Sequence, residues 1–298
     1  MSEYTTTSGQ NAAMAEGARR PTAYAMVGNI LMPISRALPQ RLLGVWAHPD
    51  DEAYLSAGLM ARVVAAGGSV TVLTATRGEK GTDDPDRYDQ PEFAAERERE
   101  LRASLAELGV HDVRFIGLRD GECDLADPYA AIDAIHDVIE SVDPDTIVTF
   151  GPDGITNHPD HRAISRWTTE AWRRHGRGEL LYATMTHEYV AEHQELHDRL
   201  GVFDDFGGRG PSSVARWCVE LECSLGEDEL DRKRAALAAH ATQTAPLAAL
   251  MGEETYREWW RDETFRAPTA AEIAACPLPV WMEADLSGSG RELVEAVS

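Results

Sequence analysis

Apolar positions along the chain alternate between short continuous runs and helical stripes. Leu42, Leu43, Val45 and Trp46 make a buried-strand run over Leu42–Ala47, and Leu55, Leu59, Val63 and Ala66 recur at helical spacing over Asp51–Ala66. Gly67-Gly68 stops that helix, and Val70, Val72 and Leu73 mark a second strand over Ser69–Ala75. A strand–helix–strand unit of this length predicts parallel strands and a right-handed crossover. The alternation continues with a helix over Glu92–Leu108, a strand over Val113–Leu118, a helix over Tyr129–Val142, a strand over Thr146–Phe150 and a helix from His161 to Arg174. The expected class is α/β with a mostly parallel sheet.

Past residue 176 the pattern changes. Additional strands are expected at Leu180–Thr186 and Val214–Cys223, a polar irregular stretch over Glu188–Arg209, and a helix over Glu227–His240. Residues 268–298 carry weak signals and read as a tail. Residues 1–20 are rich in Ser, Thr, Gly and Ala without periodicity and are expected to be disordered. Residues 21–40 read as a short helix or as an arm to a partner. The expected organisation is an N-terminal extension over 1–40, partly disordered, then a domain over 41–267 and the tail.

Composition narrows the partners. The net charge is −23, from 51 acids against 28 bases, so a phosphate backbone or an anionic membrane surface is a poor match and no nucleic-acid partner is expected. No stretch reaches the ~20 apolar residues needed to span a bilayer. Arg19-Arg20 ahead of Ala23–Ile34 imitates a leader sequence, but Asn29 and Pro33 interrupt the stretch. A cytoplasmic protein is expected, with homo-oligomerisation left open. Cys123, Cys218, Cys223 and Cys276 show no C-x-x-C pairing and read as reduced thiols.

Candidate chemistry gathers in two stretches, Ala47-His48-Pro49-Asp50-Asp51-Glu52 and His158-Pro159-Asp160-His161, each at the carboxyl end of an expected strand. Ligands bind at such ends in open α/β sheets. No G-x-G-x-x-G follows the first strand, so a dinucleotide site is not expected there. His48 and Asp51, and likewise His158 and His161, are three residues apart and face one way on a first helical turn. Proline after the first histidine suits a helix entrance. Two histidines and a carboxylate with a position left open describe a catalytic zinc site, and Fe2+, Mn2+ or Co2+ would accept the same donors. The preferred ligands are His48, Asp51 and His161, because Pro159 places His158 just outside the helix and free to meet substrate. Asp50 is the natural general base, a protonated His158 the electrophile or general acid, and Asp160 its orienting carboxylate. Glu52 is expected to make a supporting contact. The polar loop Arg77–Pro91 leaves the same sheet edge and is expected to line the site in part.

These paired motifs resemble those of the PIG-L/LmbE-like zinc-dependent deacetylases, which include the deacetylase and amidase of mycothiol metabolism. The resemblance runs from about Arg41 to Arg174, with a weaker echo at Lys233–Gln243 (including His240) and Glu263-Thr264-Phe265. It implies a Rossmann-like three-layer α/β/α fold and zinc on His48, Asp51 and His161. It also implies Asp50 as base, His158 on the oxyanion, and Arg97 and Asp120 reaching sugar hydroxyls. The implied reaction is deacetylation of a small-molecule N-acetylglucosamine-type sugar or glycoconjugate. An amidase acting on a thiol conjugate or antibiotic intermediate is the alternative, and a catalytically silent sugar-binding or scaffold protein is the alternative of another class. Where mycothiol-type enzymes carry a tyrosine before the second motif, this chain has Thr156-Asn157, and Thr82 stands where the loop has an acid.

Overall fold

The structure, a computed structural model, describes residues 24–27, 30–33, 37–82, 90–204 and 210–276. The chain divides into two units, Met1–Ser35 and Arg36–Ser298. In the first, β1 (Tyr24–Val27) and β2 (Ile30–Pro33) pair antiparallel with Val27 opposite Ile30. The short helix entertained for this stretch is therefore replaced by a hairpin. Gly28-Asn29 between two apolar tetrads is a two-residue hairpin signal, and Pro33 is unsuited to a helix interior. The disorder expected of residues 1–20 falls outside the described residues.

The second unit opens with the expected alternation: β3 (Arg41–Trp46), α1 (Asp51–Ala65), β4 (Ser69–Thr74), α2 (Gln90–Glu107), β5 (Asp112–Phe115), α3 (Pro128–Val142), β6 (Thr146–Phe150), α4 (Pro159–His175) and β7 (Glu179–Thr186). Its remainder is α5 (His187–Glu192), α6 (Gln194–Leu200), β8 (Ser213–Val214), β9 (Leu221–Ser224), α7 (Glu227–Ala239), α8 (Ala241–Met251), α9 (Glu253–Trp259), β10 (Asp262–Arg266) and α10 (Ala270–Ala274). The sheet runs β5-β4-β3-β6-β7-β10-β9, with β8 beside the end of β7. β5, β4, β3, β6 and β7 are parallel, whereas β10 is antiparallel to both β7 and β9. The result is a mostly parallel Rossmann-like sheet. α7 packs between α1 and α2 in one helical layer, and α3 pairs with α4 in the other.

The central strands are buried end to end, as parallel strands covered on both faces must be. Trp46 and Phe150 end β3 and β6 and meet edge to face, ring centroids 5.0 Å apart. Such a pair adds about 0.5–1.5 kcal/mol beyond its buried area, and it fixes the two strand ends from which both motifs emerge. Asp127 caps α3 by accepting from the Tyr129 N–H, and Gly176 ends α4 in the left-handed conformation.

Two expectations after residue 176 are corrected. The stretch expected to be irregular holds α5 and α6, the first capped by Thr186 accepting from the Tyr189 N–H. The single strand expected over Val214–Cys223 is broken by a 3-10 turn at Arg216–Cys218, so β8 pairs parallel with the end of β7 while β9 pairs with β10. Within the tail, Thr269 and Glu272 cap α10 reciprocally.

Candidate metal centre

Strand order reverses at the neighbours β3 and β6. Chain leaving their carboxyl ends departs in opposite directions and opens a crevice. The first motif enters α1 on one side of it. The second enters α4 on the other, with His158 as N-cap and Pro159 in the first turn.

Three donor groups converge there. His48 Nδ1 lies 3.1 Å from His161 Nε2, Asp51 Oδ1 lies 3.4 Å from His161 Nε2, and Asp51 Oδ2 lies 3.7 Å from His48 Nδ1. Donors bound tetrahedrally at ~2.0–2.1 Å stand about 3.3 Å from each other; these closest approaches are of that order but use both Asp51 oxygens, of which Oδ2 also accepts the His48 N–H at 2.8 Å. The outer nitrogen of each ring is already committed. His161 Nδ1–H donates to the Gly154 carbonyl at 2.9 Å, and His48 Nε2–H faces Asp160 Oδ2 at 3.1 Å and Asp120 Oδ1 at 3.2 Å. These partners assign the tautomers and leave both inner lone pairs for a cation. Gly154 makes its contact possible. Its φ is +68°, and a Cβ there would sit 2.7 Å from the His161 Cβ.

Burial alone would lower the His48 pKa, but the carboxylates of Asp120 and Asp160 outweigh it and carry the ring to about 10. Burial and the charge on His48 press His161 well below its ordinary value.

Asp50 adopts φ 123° and ψ −28°, a backbone region that residues other than glycine rarely occupy. Such a conformation costs about 1–3 kcal/mol and persists only where surroundings enforce it. Glu52 enforces it, accepting the Asp50 N–H at 3.0 Å through Oε2 while Oε1 meets His240 Nε2 at 2.8 Å. Glu52 and His240 are both fully buried. Arg97 Nη2 stands 3.4 Å from Asp50 Oδ2 and donates to the Pro49 carbonyl at 2.5 Å, and its Nη1 donates to the Gly78 carbonyl at 3.0 Å. A Cβ at Gly78 would overlap that guanidinium. Burial raises the Asp50 carboxyl, Arg97 pulls it back, and the balance is about 6.

Three expectations for individual residues change. The Asp160 carboxylate does not orient His158: it accepts from His48 and from the Gly121 and Cys123 N–H groups at 2.7 and 3.0 Å. The link from residue 160 to His158 is a backbone one, the Asp160 N–H donating to His158 Nδ1 at 3.2 Å. His158 Nδ1 thus accepts from the backbone, which leaves Nε2 as the ring nitrogen turned to other partners. Its ring lies 4.9 and 5.0 Å from those of His48 and His161. Arg97 is buried against Asp50 and the Gly78 loop, and Asp120 is buried between His48 and the Lys80 N–H, 2.8 Å from its Oδ2. Both expected sugar contacts are thereby spent on the protein itself. Of the Arg77–Pro91 loop, Gly78–Lys80 reach the site shell, and 83–89 fall outside the described residues. The supporting contact expected of Glu52 is present, but its partner His240 had no role in the sequence reading.

Residues 43–172 match the family described as GlcNAc-PI de-N-acetylase, PIG-L. The 1D-myo-inositol 2-acetamido-2-deoxy-alpha-D-glucopyranoside deacetylase of Corynebacterium glutamicum is 31% identical over 226 residues, 68% of this chain and 74% of that protein. The deacetylase of the same name from Rhodococcus jostii is 34% identical over 242 residues, 68% of this chain and 82% of that protein. Among solved structures, N,N'-diacetylchitobiose deacetylase from Pyrococcus horikoshii aligns with a TM-score of 0.52 and 20% identity over 83% of this chain and 89% of that one, a likeness of fold. Sheet, crevice and relatives together define an amide hydrolase on a Rossmann-like scaffold. More narrowly, the chain belongs to the PIG-L family of de-N-acetylases.

Proposed function

We propose that this protein removes the acetyl group from an N-acetylglucosaminide carried on a small polar aglycone, using a divalent ion, Zn2+, held by His48, Asp51 and His161. The observation that carries the reading is the convergence of His48 Nδ1, His161 Nε2 and the two Asp51 oxygens, with closest approaches of 3.1, 3.4 and 3.7 Å and the strained Asp50 beside them. A divalent ion held by these residues would polarise the amide carbonyl and lower the pKa of water. Asp50 removes the proton from the attacking water and returns it to the departing amine nitrogen, leaving acetate and a free amino sugar. His158 Nε2–H donates to the carbonyl oxygen as negative charge gathers there. Asp120 and Asp160 hold the His48 ring, and Gly154 the His161 ring, so that the inner nitrogens stay aimed at the ion. The relatives' names, which specify a glucosaminide of inositol, support a polyol aglycone.

The test is acetate release and amine formation from inositol-linked and chitobiose-type N-acetylglucosaminides. Turnover that vanishes on chelation and returns with Zn2+ is expected. Zinc-loaded protein that releases acetate from neither substrate ends the proposal.

A further inference from the structure

α3 leads into the start of β6 and α4 into the start of β7, so both helices end at the amino edge of the sheet, the pole away from the crevice. A second group of donors gathers at this pole. His136 and Glu140 lie one turn apart on α3 and share a face, and His175 is the last residue of α4. Glu140 Oε1 stands 2.5 Å from His175 Nδ1 and 3.7 Å from His136 Nε2. One donor atom from each of the three lies within 4.8 Å of the others, and among the described residues this is the one such triad without His48.

The surroundings leave these donors available. Arg174 is paired with Asp133 at 2.6 Å, and Arg41 and Arg177 meet Asp143 at 3.4 and 3.5 Å. Among the described residues the ion pairs at Glu140 come from the imidazoles of His136 and His175, with the Arg177 charge acting on it from further away. The His175 side chain is fully buried, yet its Nε2 has no hydrogen-bond partner. Asp143 Oδ1 is 3.8 Å away from it, just beyond bonding reach. A salt link to Glu140 alone does not account for that orphaned nitrogen.

We propose that His136, Glu140 and His175 form a second divalent-cation site, for Zn2+ or an ion of similar preference such as Ni2+ or Cu2+, tying the end of α3 to the end of α4. Two imidazoles and one carboxylate suit these ions and not Mg2+ or Ca2+, which take oxygen donors. The ion takes the place of the proton between His175 Nδ1 and Glu140. His175 Nε2–H then has Asp143 to settle against, the carboxylate–imidazole support that metal-bound histidines use. The partly exposed Glu140 and His136 form the way in.

Zinc titration of the chelator-stripped full-length protein by equilibrium dialysis tests this. Roughly two equivalents are expected for the unaltered chain, and loss of one ligand from a three-ligand set weakens the ion by an order of magnitude or more. Asp51→Ala removes the crevice equivalent and leaves the other. His136→Ala removes the other and leaves acetate release unchanged. Zn2+ raises the Tm of Asp51→Ala protein and does not raise that of Asp51→Ala/His136→Ala. A single equivalent that disappears with Asp51→Ala overturns the site. Two equivalents indifferent to His136→Ala also overturn it, because an ordinary Glu140–His175 ion pair has no need of residue 136.

Discussion

Asp50 is the residue on which the crevice geometry converges. Its backbone is twisted, its amide is tied to Glu52, its carboxylate faces Arg97, and its pKa is raised to about 6. Asp50→Ala is expected to lower kcat by about 10²–10⁴ while zinc content, read by metal analysis, stays unchanged. His240 acts one step further back. His240→Ala leaves the Glu52 carboxylate buried beside the Asp50 amide without its partner, so kcat should fall roughly tenfold or more with KM little altered. His240→Gln, whose amide supplies a donor in the same place, should recover part of the loss. A rise in KM at constant kcat would place His240 on the substrate side instead. At this scale the donors were legible because i,i+3 spacing reports which side chains share a helix face. Use of Asp160, Asp120 and Arg97 was not, because spacing is silent on which groups meet across a crevice. The Glu52–His240 pair spans 188 positions, and no local pattern announces it.

Among the elements, α1 is held from the side as well as from its ends. The Glu263 carboxylate on β10 accepts the Gly58 and Leu59 N–H groups at 2.7 and 2.8 Å. Lys233 on α7 balances it, donating to Glu263 Oε1 at 2.8 Å and to the Tyr54 carbonyl at 2.7 Å. Lys233 and Glu263 are both buried. Removing one member of such a pair strands a charge, at about 3–5 kcal/mol. Lys233→Met should lose that much in urea unfolding, and Lys233→Met/Glu263→Gln should lose less, since the neutral amide still accepts from α1. Equal losses would mean that packing and not charge dominates. β10 also marks where pattern reading stopped. Asp262-Glu263-Thr264-Phe265-Arg266 has one strongly apolar residue, yet it pairs on both edges and lies inside the sheet. Tertiary pairing overrode local propensity there, whereas β3 and β6, buried on both faces, announced themselves as unbroken apolar runs. α5 and α6 escaped notice for the related reason that they bury little, His197 alone among their residues being buried.

For the molecule as a whole, that histidine links stability to pH. His197 Nε2 accepts the Trp259 indole N–H at 2.9 Å. Burial, and then the nearby His193, lower its pKa from 6.5 to about 4. The folded chain therefore resists a proton that the unfolded chain accepts below about 6.5. Stability is unaffected above that pH and declines as pH falls from about 6.5 to about 4. His197→Gln should flatten this part of the profile in pH-resolved denaturant unfolding. An unchanged slope would assign the acid sensitivity to other groups.

The contact between Glu52 and His240 has a consequence for rebuilding this enzyme from parts. The three proposed crevice ligands and Asp50 precede residue 172, where the family match ends, yet His240 braces the first motif from the α7–α8 junction. From the same junction Thr242 grips Glu100 and Gln243 reaches the Gly81 carbonyl. A hybrid that keeps residues 1–176 and borrows the remainder from a relative would inherit both His-Pro-Asp motifs and still depend on the donor for that brace. Grafts that bring an imidazole to the end of the equivalent helix should retain acetate release, and grafts that do not should lose it. Specificity segments are therefore best exchanged wholly before α7, within residues 187–224, with α7 and α8 left in place.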